Sequence, residues 1–295
     1  MKTQFFAVFM LVAMILAACQ PATPVVMDDL VPEVQPTETP AGLVTSGEVF
    51  GEGADTGSVT TDFPRPEVIW NPDPNVLIIS GTFCCGFTTP LAPLNYIPDF
   101  QVWGDGRYVW VVYSTENGSR QVLQGQLPAE QMTILIQRMV DTGFFGWEDR
   151  YANELVADVA DKCITVNLES ASKTVCEYYE GAPEAFHGFY DNFSKGNGLK
   201  GTDFVPTRGF LTAFDYGKLA RPVSEDDILW PTDQLFSLST AIEKGVWVEG
   251  EALRLAWEAA NRDPWGSIVY DGQGFYGVGI QIPGLSMNQP PAETE

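Results

Sequence analysis

The chain has 295 residues, 45% of them hydrophobic, with 39 Asp and Glu against 16 Lys and Arg and a formal charge of −23. That apolar share is enough for a packed core, so the chain as a whole falls outside the disordered class. The acidic balance argues against nucleic acid as a partner, because phosphate binding needs clustered cations, and equally against electrostatic adhesion to anionic lipid.

The chain opens with one early cation, Lys2, and an apolar run from Phe5 to Ala18. About fourteen residues suit a signal-peptide core and are short for a membrane-spanning helix of ~20. Leu16-Ala17-Ala18-Cys19 closes that run and resembles the lipobox of bacterial lipoproteins. The resemblance implies that residues 1–18 are a signal peptide removed before Cys19. It further implies a diacylglycerol on the Cys19 thiol, often with another acyl chain (palmitate, for example) on the new amino group. The folded part would then lie outside the cytoplasm, attached to the cell membrane through acylated Cys19. Stable attachment needs more than one chain, which such lipidation supplies.

Residues 19–62 are rich in Pro, Thr, Glu, Val and Gly without sustained periodicity. Such a stretch cannot bury enough apolar surface to offset its ordering entropy, and it reads as a disordered acidic tether reaching roughly 35–40 Å as a flexible coil.

The next unit, 63–200, reads as α+β. Strands are expected over 76–83, 99–103, 107–113 and 119–126, the second and third flanking Gly104-Asp105-Gly106, whose Asp-Gly step suits a hairpin turn. Pro128 opens a helix with Met132, Leu135, Ile136, Met139 and Val140 on one stripe and Gly143 as its stop. Strands over 162–168 and 172–178 share a tight turn at Glu169-Ser170, and Pro183 starts a second helix with Phe186, Phe189, Tyr190 and Phe193 inward. Hairpins with helices inserted between them indicate an antiparallel sheet with two covering helices.

Four cysteines follow Cys19. An even number outside the cytoplasm favours disulfides. With a two-residue turn, Cys163 faces Cys176 at a non-hydrogen-bonded position, where Cα atoms lie close enough for a bridge. Such a link over about fourteen residues is worth roughly 3 kcal/mol in the chain-entropy account. By elimination, Cys84 and Cys85 would bond to each other or stay reduced. The alternative is that all four are small buried side chains.

The polar, Gly-rich stretch 197–203 reads as a boundary. Beyond it, 201–288 reads as a second small α+β unit: a strand over 210–216, a helix over 232–244 with Leu235, Leu238 and Ile242 inward, a helix over 251–261, and a hairpin from 267–271 and 275–282. Residues 289–295 read as a disordered tail. The layout as a whole is similar to that of bacterial surface lipoproteins with no assigned activity.

Chemistry-bearing motifs are sparse. Asp55-Thr56-Gly57 and Asp141-Thr142-Gly143 resemble the triplets of aspartic proteases, which pair two carboxylates around one water. Asp141, however, ends a helix for which Gly143 is a natural stop. Gly272-x-Gly274-x-x-Gly277 has dinucleotide spacing but sits in a hairpin, where turns account for glycine. Ser170-x-x-Lys173, Tyr190-Asp191-Asn192 and Lys173-Thr174-Val175 echo penicillin-binding motifs, yet one lysine cannot serve twice. His187 is the single histidine, a weak candidate base and more naturally a boundary side chain paired with Asp191. Ser224 with Asp227 fits a helix cap. Calcium held by acids and loop carbonyls is open, with no EF-hand spacing to support it. No metal or cofactor is expected.

Tyr108 and Trp110 share one face of their strand and Val109 and Val111 the other. Either both faces are covered, or one is an aromatic surface for a glycan or protein partner, which makes Tyr108 and Trp110 candidate ligand contacts. The expectation is a lipid-anchored, non-enzymatic binding protein of the bacterial envelope. The alternatives are an extracytoplasmic hydrolase using Asp141 as one of two carboxylates, and a structural spacer.

Overall fold

Short apolar runs broken by tight turns build two sheets, and both sheets press on one shared core. The computed structural model describes residues 64–292 apart from 85, 87, 153–155, 218–221, 225, 226, 234 and 243, with the backbone alone at Cys84. The segments read above as signal peptide (1–18) and tether (19–62), with Cys19 and Asp55, and Cys85 lie outside the described residues. The architecture is α+β, with four α-helices and two sheets among the described residues.

The first sheet holds β1 (Leu77–Cys84), β2 (Phe100–Trp103), β3 (Arg107–Tyr113), β4 (Arg120–Gln126), β5 (Arg150–Ala152), β6 (Asp161–Asn167), β7 (Ser172–Tyr178) and β8 (Thr202–Asp203), in the order β5-β7-β6-β1-β2-β3-β4-β8. Every pairing is antiparallel except β5 with β7. The second sheet holds β9 (Gly209–Asp215), β10 (Ile228–Leu229), β11 (Val246–Val248), β12 (Ile268–Tyr270) and β13 (Phe275–Gln281), in the order β10-β12-β13-β9-β11. Only β10 with β12 is parallel there.

The helices are α1 (Ala92–Asn95), α2 (Ala129–Asp141), α3 (Glu184–Ser194) and α4 (Gly250–Arg262). Met132, Ile136, Met139 and Val140 of α2 and Phe186, Phe189, Tyr190 and Phe193 of α3 are buried with Phe100, Val102, Tyr108, Trp110, Ile164 and Val166. The rings of Phe100 and Phe193 stack at 5.1 Å, and Tyr190 meets Phe100 edge-on at 5.3 Å. The Tyr108 hydroxyl donates to the Phe193 carbonyl, so its one polar atom is satisfied inside the core.

The opposite face of β3 is equally dry. Val109, Val111 and Val122 join Leu211, Ala213, Val278 and Ile280 of the second sheet and Ala252, Ala256 and Ala259 of α4. Alanine on that helix face lets it approach closely. Both faces of β3 are therefore covered from Tyr108 to Val111, while Val112 and Tyr113 at its end are exposed; of the two arrangements the sequence left open this is the packed one, with Tyr108 0% and Trp110 2% exposed. Neither can be a ligand contact in this fold.

Trp110 also explains the glycine-rich stretch 197–203. A Cβ on Gly201 would lie 2.5 Å from the indole, and one on Gly196, which has φ +75°, would lie 2.6 Å from it. These glycines let the backbone lie against a large ring. Thr202 and Asp203 then pair with β4 as its edge partner.

Among the described residues of 232–244 the expected α-helix is not found; they hold a 3-10 turn at Leu238–Ala241. Local hydroxyls compete with helical bonding there. The Ser237 Oγ accepts the Ser239 N–H, the Thr240 hydroxyl donates to Ser237 O, and the Trp230 indole N–H takes the Phe236 carbonyl at 2.8 Å. Ser224 and Asp227 do interact, at 2.7 Å from the Ser224 N–H to Asp227 Oδ2, but ahead of the strand β10 rather than a helix.

Two glycine substitutions separate close packing from helix propensity. Gly201→Ala should lower stability by about 1–3 kcal/mol through overpacking against Trp110. Gly188→Ala, in α3 with no atom within 4 Å of the added Cβ, should raise it by about 0.5–1 kcal/mol. Urea denaturation of both variants checks the pair.

Candidate functional site

A cleft of about 660 Å³ opens where the segment after β8 meets β11 and the C-terminal segment. That is within the usual size of small-ligand sites. Phe204, Val205 and Trp247 give it an apolar floor, and Pro206, Pro283, Pro290 and Pro291 give it rigid walls. Residues 289–292, expected as part of a disordered tail, form one of those walls. They follow a pinned stretch: Gln281 Nε2 donates to Asn288 O at 2.9 Å, and Gln289 Oε1 accepts the Gly284 N–H at 2.7 Å.

Two guanidiniums reach the cleft, Arg107 and Arg208. Each lies over an indole: Arg107 Cζ is 4.1 Å from the Trp103 ring centre and Arg208 Cζ 4.5 Å from that of Trp247. Such stacking holds the planar fork in place at little entropic cost. Arg107 Nη2 donates to Pro74 O at 3.3 Å, while its Nε is buried without a hydrogen-bond partner among the described residues. Arg208 lies 3.7 Å from Glu249 Oε1. Among the described residues, no Asp or Glu lines the cleft. In so acidic a chain, that local reversal of charge sets this surface apart.

A second polar cluster is built into the junction of α1, β2, β3 and α3. Tyr190 donates to Asp99 Oδ2 at 2.6 Å, Tyr96 accepts the Phe83 N–H at 2.7 Å, and the Lys162 ammonium sits 5.2 Å from the Tyr190 ring centre. Burial pushes the Asp99 carboxyl up to about 6, against the opposing pull of the Tyr190 hydroxyl and Lys162. Burial and the Asp99 charge hold Tyr96 and Tyr190 well above the ordinary phenol range. Burial lowers Arg120 to about 10, so it remains a cation at neutral pH. These groups are largely engaged with one another, as suits a packing network.

Other sequence candidates are dispersed. Asp141 is exposed at the C-terminal end of α2 and accepts from Gln137 Nε2 at 3.0 Å. His187 does not pair with Asp191, as the helix spacing suggested. Its Nε2 lies 3.3 Å from Glu177 Oε1, across on β7, while Asp191 meets Lys195 at 3.4 Å. The strand below α3 offers a closer, buried carboxylate than the helix itself does. Lys173 is held by Trp147 O and Asp149. Gly272 sits in the turn at φ +88°, and a Cβ on Gly277 would lie 2.7 Å from Leu91 of the α1 cap, so turn and packing account for the dinucleotide-like spacing.

Cys163 and Cys176 form a disulfide, their Cα atoms 4.1 Å apart in directly opposed register. Leu168 N–H donates to Ala171 O at 2.8 Å, closing the two-residue turn that sets this register. Cys84 ends β1, and its side chain, like all of Cys85, lies outside the described residues. No group of three His, Cys, Asp or Glu among the described residues could hold a metal ion.

The cleft was missed in the sequence because Arg107, Arg208, Trp247 and Pro290 come from four distant stretches. Their only local signal was Arg within a few residues of Trp, at Trp103 and Arg107. No family model matches this chain, and neither a curated protein nor a solved structure matches it.

The raised Asp99 pKa makes stability pH-dependent with a defined sign. A carboxyl whose pKa is higher folded than unfolded favours folding most below its unfolded value of 3.8, and that contribution fades as pH climbs through about 6. The loss amounts to about 3 kcal/mol. Asp99→Asn keeps an acceptor for Tyr190 but cannot ionise. It should exceed wild type in stability at pH 7.5 and lose that advantage by pH 4, read by denaturant melts at several pH values.

Proposed function

We propose that this chain is a lipid-anchored extracytoplasmic binding protein of a bacterial envelope, holding its ligand in the cleft between Arg107, Arg208 and Trp247. One observation carries the reading: two stacked guanidiniums and a proline-walled apolar floor converge on a ligand-sized opening in a strongly acidic chain. The lipobox residues Leu16-Ala17-Ala18-Cys19 supply the address, and the Cys163–Cys176 disulfide is consistent with an oxidising compartment. In this reading the first sheet, with α2 and α3 as its cover, is scaffold, and the acidic tether holds the cleft away from the bilayer. Partners are the membrane through acylated Cys19 and an envelope ligand. A hydrolase built on Asp141 has no support from that residue's exposed position at a helix end.

The anchor and the cleft are tested separately. Radiolabelled palmitate should enter the wild-type chain and be absent from Cys19→Ser, which should also leave the membrane fraction; an unlabelled wild-type product in the cytosol would overturn the anchor. For the cleft, small-molecule screening by thermal shift should find compounds that raise the wild-type Tm and fail to raise that of Trp247→Ala. Compounds that act equally on both proteins would move the ligand site elsewhere.

A further inference from the structure

We infer that a second, smaller opening, where the end of β3 faces the start of β4, binds a short-chain carboxylate as the counter-ion of Arg120. The inference is independent of the cleft. The opening holds about 220 Å³ and is lined by Val112, Tyr113, Ser114, Ser119, Arg120 and Gln121. At about 30 Å³ for each water-sized group, it takes a ligand of only a few heavy atoms.

Arg120 is the reason to expect an anion. It is 6% exposed and remains a cation at neutral pH. Its Nε donates to Asn261 Oδ1 at 2.6 Å and its Nη1 to Asn95 O, both neutral acceptors. Its Nη2, which carries two N–H groups, is buried without a hydrogen-bond partner among the described residues. The Tyr113 hydroxyl is near enough to favour the charged guanidinium. Even with that oxygen drawn to one N–H, the second stays unmet. A buried charge without a counter-charge is costly, and a bound anion removes that cost.

No described carboxylate supplies the counter-charge. Tyr113 and Tyr96 are the titratable groups that act on Arg120. Asp99 acts on both tyrosines, but its own charge is met by the Tyr190 hydroxyl and Lys162. Glu116, on the turn between β3 and β4, is exposed and outside the lining, and Asp203 accepts from Gln121 Nε2 at 2.6 Å.

The kind of anion follows from the donors. Tyr113 lies directly opposite Arg120 in the β3–β4 register, which sets a phenol beside the guanidinium. Burial and the Asp99 charge push that phenol up to about 12, so it keeps its proton and can donate. Two neighbouring donors, one charged and one neutral, suit the two oxygens of one carboxylate. Val112 adds apolar surface for a short alkyl chain. Tyr113 as a whole is 43% exposed, so the opening communicates with solvent. Because Arg120 also holds Asn95 and Asn261, an occupied site should reinforce the docking of the two sheets.

Titration of the full chain at constant ionic strength tests the inference with three probes: propionate, its neutral isostere propionamide, and chloride. The readouts are calorimetry, Tm and the NMR signal of the Arg120 Nε–H. Propionate should bind saturably, raise Tm and move the Arg120 signal, and propionamide should do none of these. Tyr113→Phe, at a partly exposed position, should bind propionate roughly ten- to a hundred-fold more weakly, the loss expected for a hydrogen bond to a charged group. Trp247→Ala, in the cleft, should bind it as wild type does. Equal binding of propionate and propionamide would overturn the anion. Chloride moving the Arg120 signal as far and displacing propionate would overturn the carboxylate in favour of a halide. Binding weakened by Trp247→Ala and unchanged by Tyr113→Phe would assign the propionate to the cleft and overturn this site. An Arg120 signal that no probe moves would reject the site and leave the cleft untouched.

Discussion

The buried side chain of Asn95 ties the two sheets into one body. Its Nδ2 donates to Ser267 Oγ at 2.8 Å, Val278 O at 3.2 Å and Pro264 O at 3.4 Å, while its Oδ1 accepts the Ile280 N–H at 2.8 Å. Its backbone carbonyl takes Arg120 Nη1, and Arg120 Nε reaches Asn261 Oδ1 at 2.6 Å. One short helix, α1, thereby connects β13 of the second sheet to β4 of the first and to the end of α4. An amide this deep is costly unless its donors and acceptor are all met. Here they are met by groups from distant parts of the chain, so the network specifies one docking of the two sheets where apolar contact alone would allow several.

Close backbone approach does the rest of that work. Gly277 and Gly279 of β13 leave room for Leu91 and Leu94, which brings α1 near enough for Asn95 to reach the strand. On the other side of the molecule, Gly196 and Gly201 lie against Trp110 in the same manner. In both places a residue without Cβ permits a contact that any other residue would prop open. Dense packing at such points leaves β3 dry on both faces from Tyr108 to Val111, so Tyr108 and Trp110 offer no aromatic platform.

With Tyr108–Val111 of β3 covered, the proposed recognition surface falls at the margin of the two sheets. There the segment after the edge strand β8, the edge strand β11 and the pinned C-terminal segment come together. Two arginines over indoles give this opening a cationic lining. The Asp99 cluster is nearly as rich in ionisable groups, and there Tyr190 already donates to the buried carboxylate.

Local signals were legible wherever a single stretch contains its own reason. The Asp-Gly hairpin between β2 and β3, the two Pro-started helices α2 and α3, α4 and the β6–β7 hairpin all follow from periodicity and turn chemistry. The Cys163–Cys176 register follows from a two-residue turn plus counting. Strands of two or three residues, such as β5, β8, β10 and β11, carry no period to read, and the segment 232–244 has helical spacing that its own hydroxyls defeat. The Gly-rich stretch 197–203 read as a break because nothing local reveals the indole it wraps. His187 likewise found Glu177 on a strand in place of Asp191 on its own helix. Chain chemistry alone determined the α+β class, the hairpins, the disulfide and the expected address at Cys19. Tertiary structure alone decided that Tyr108 and Trp110 are core and that Arg107, Arg208, Trp247 and Pro290 share one cleft, because burial and convergence depend on contacts between residues far apart in sequence.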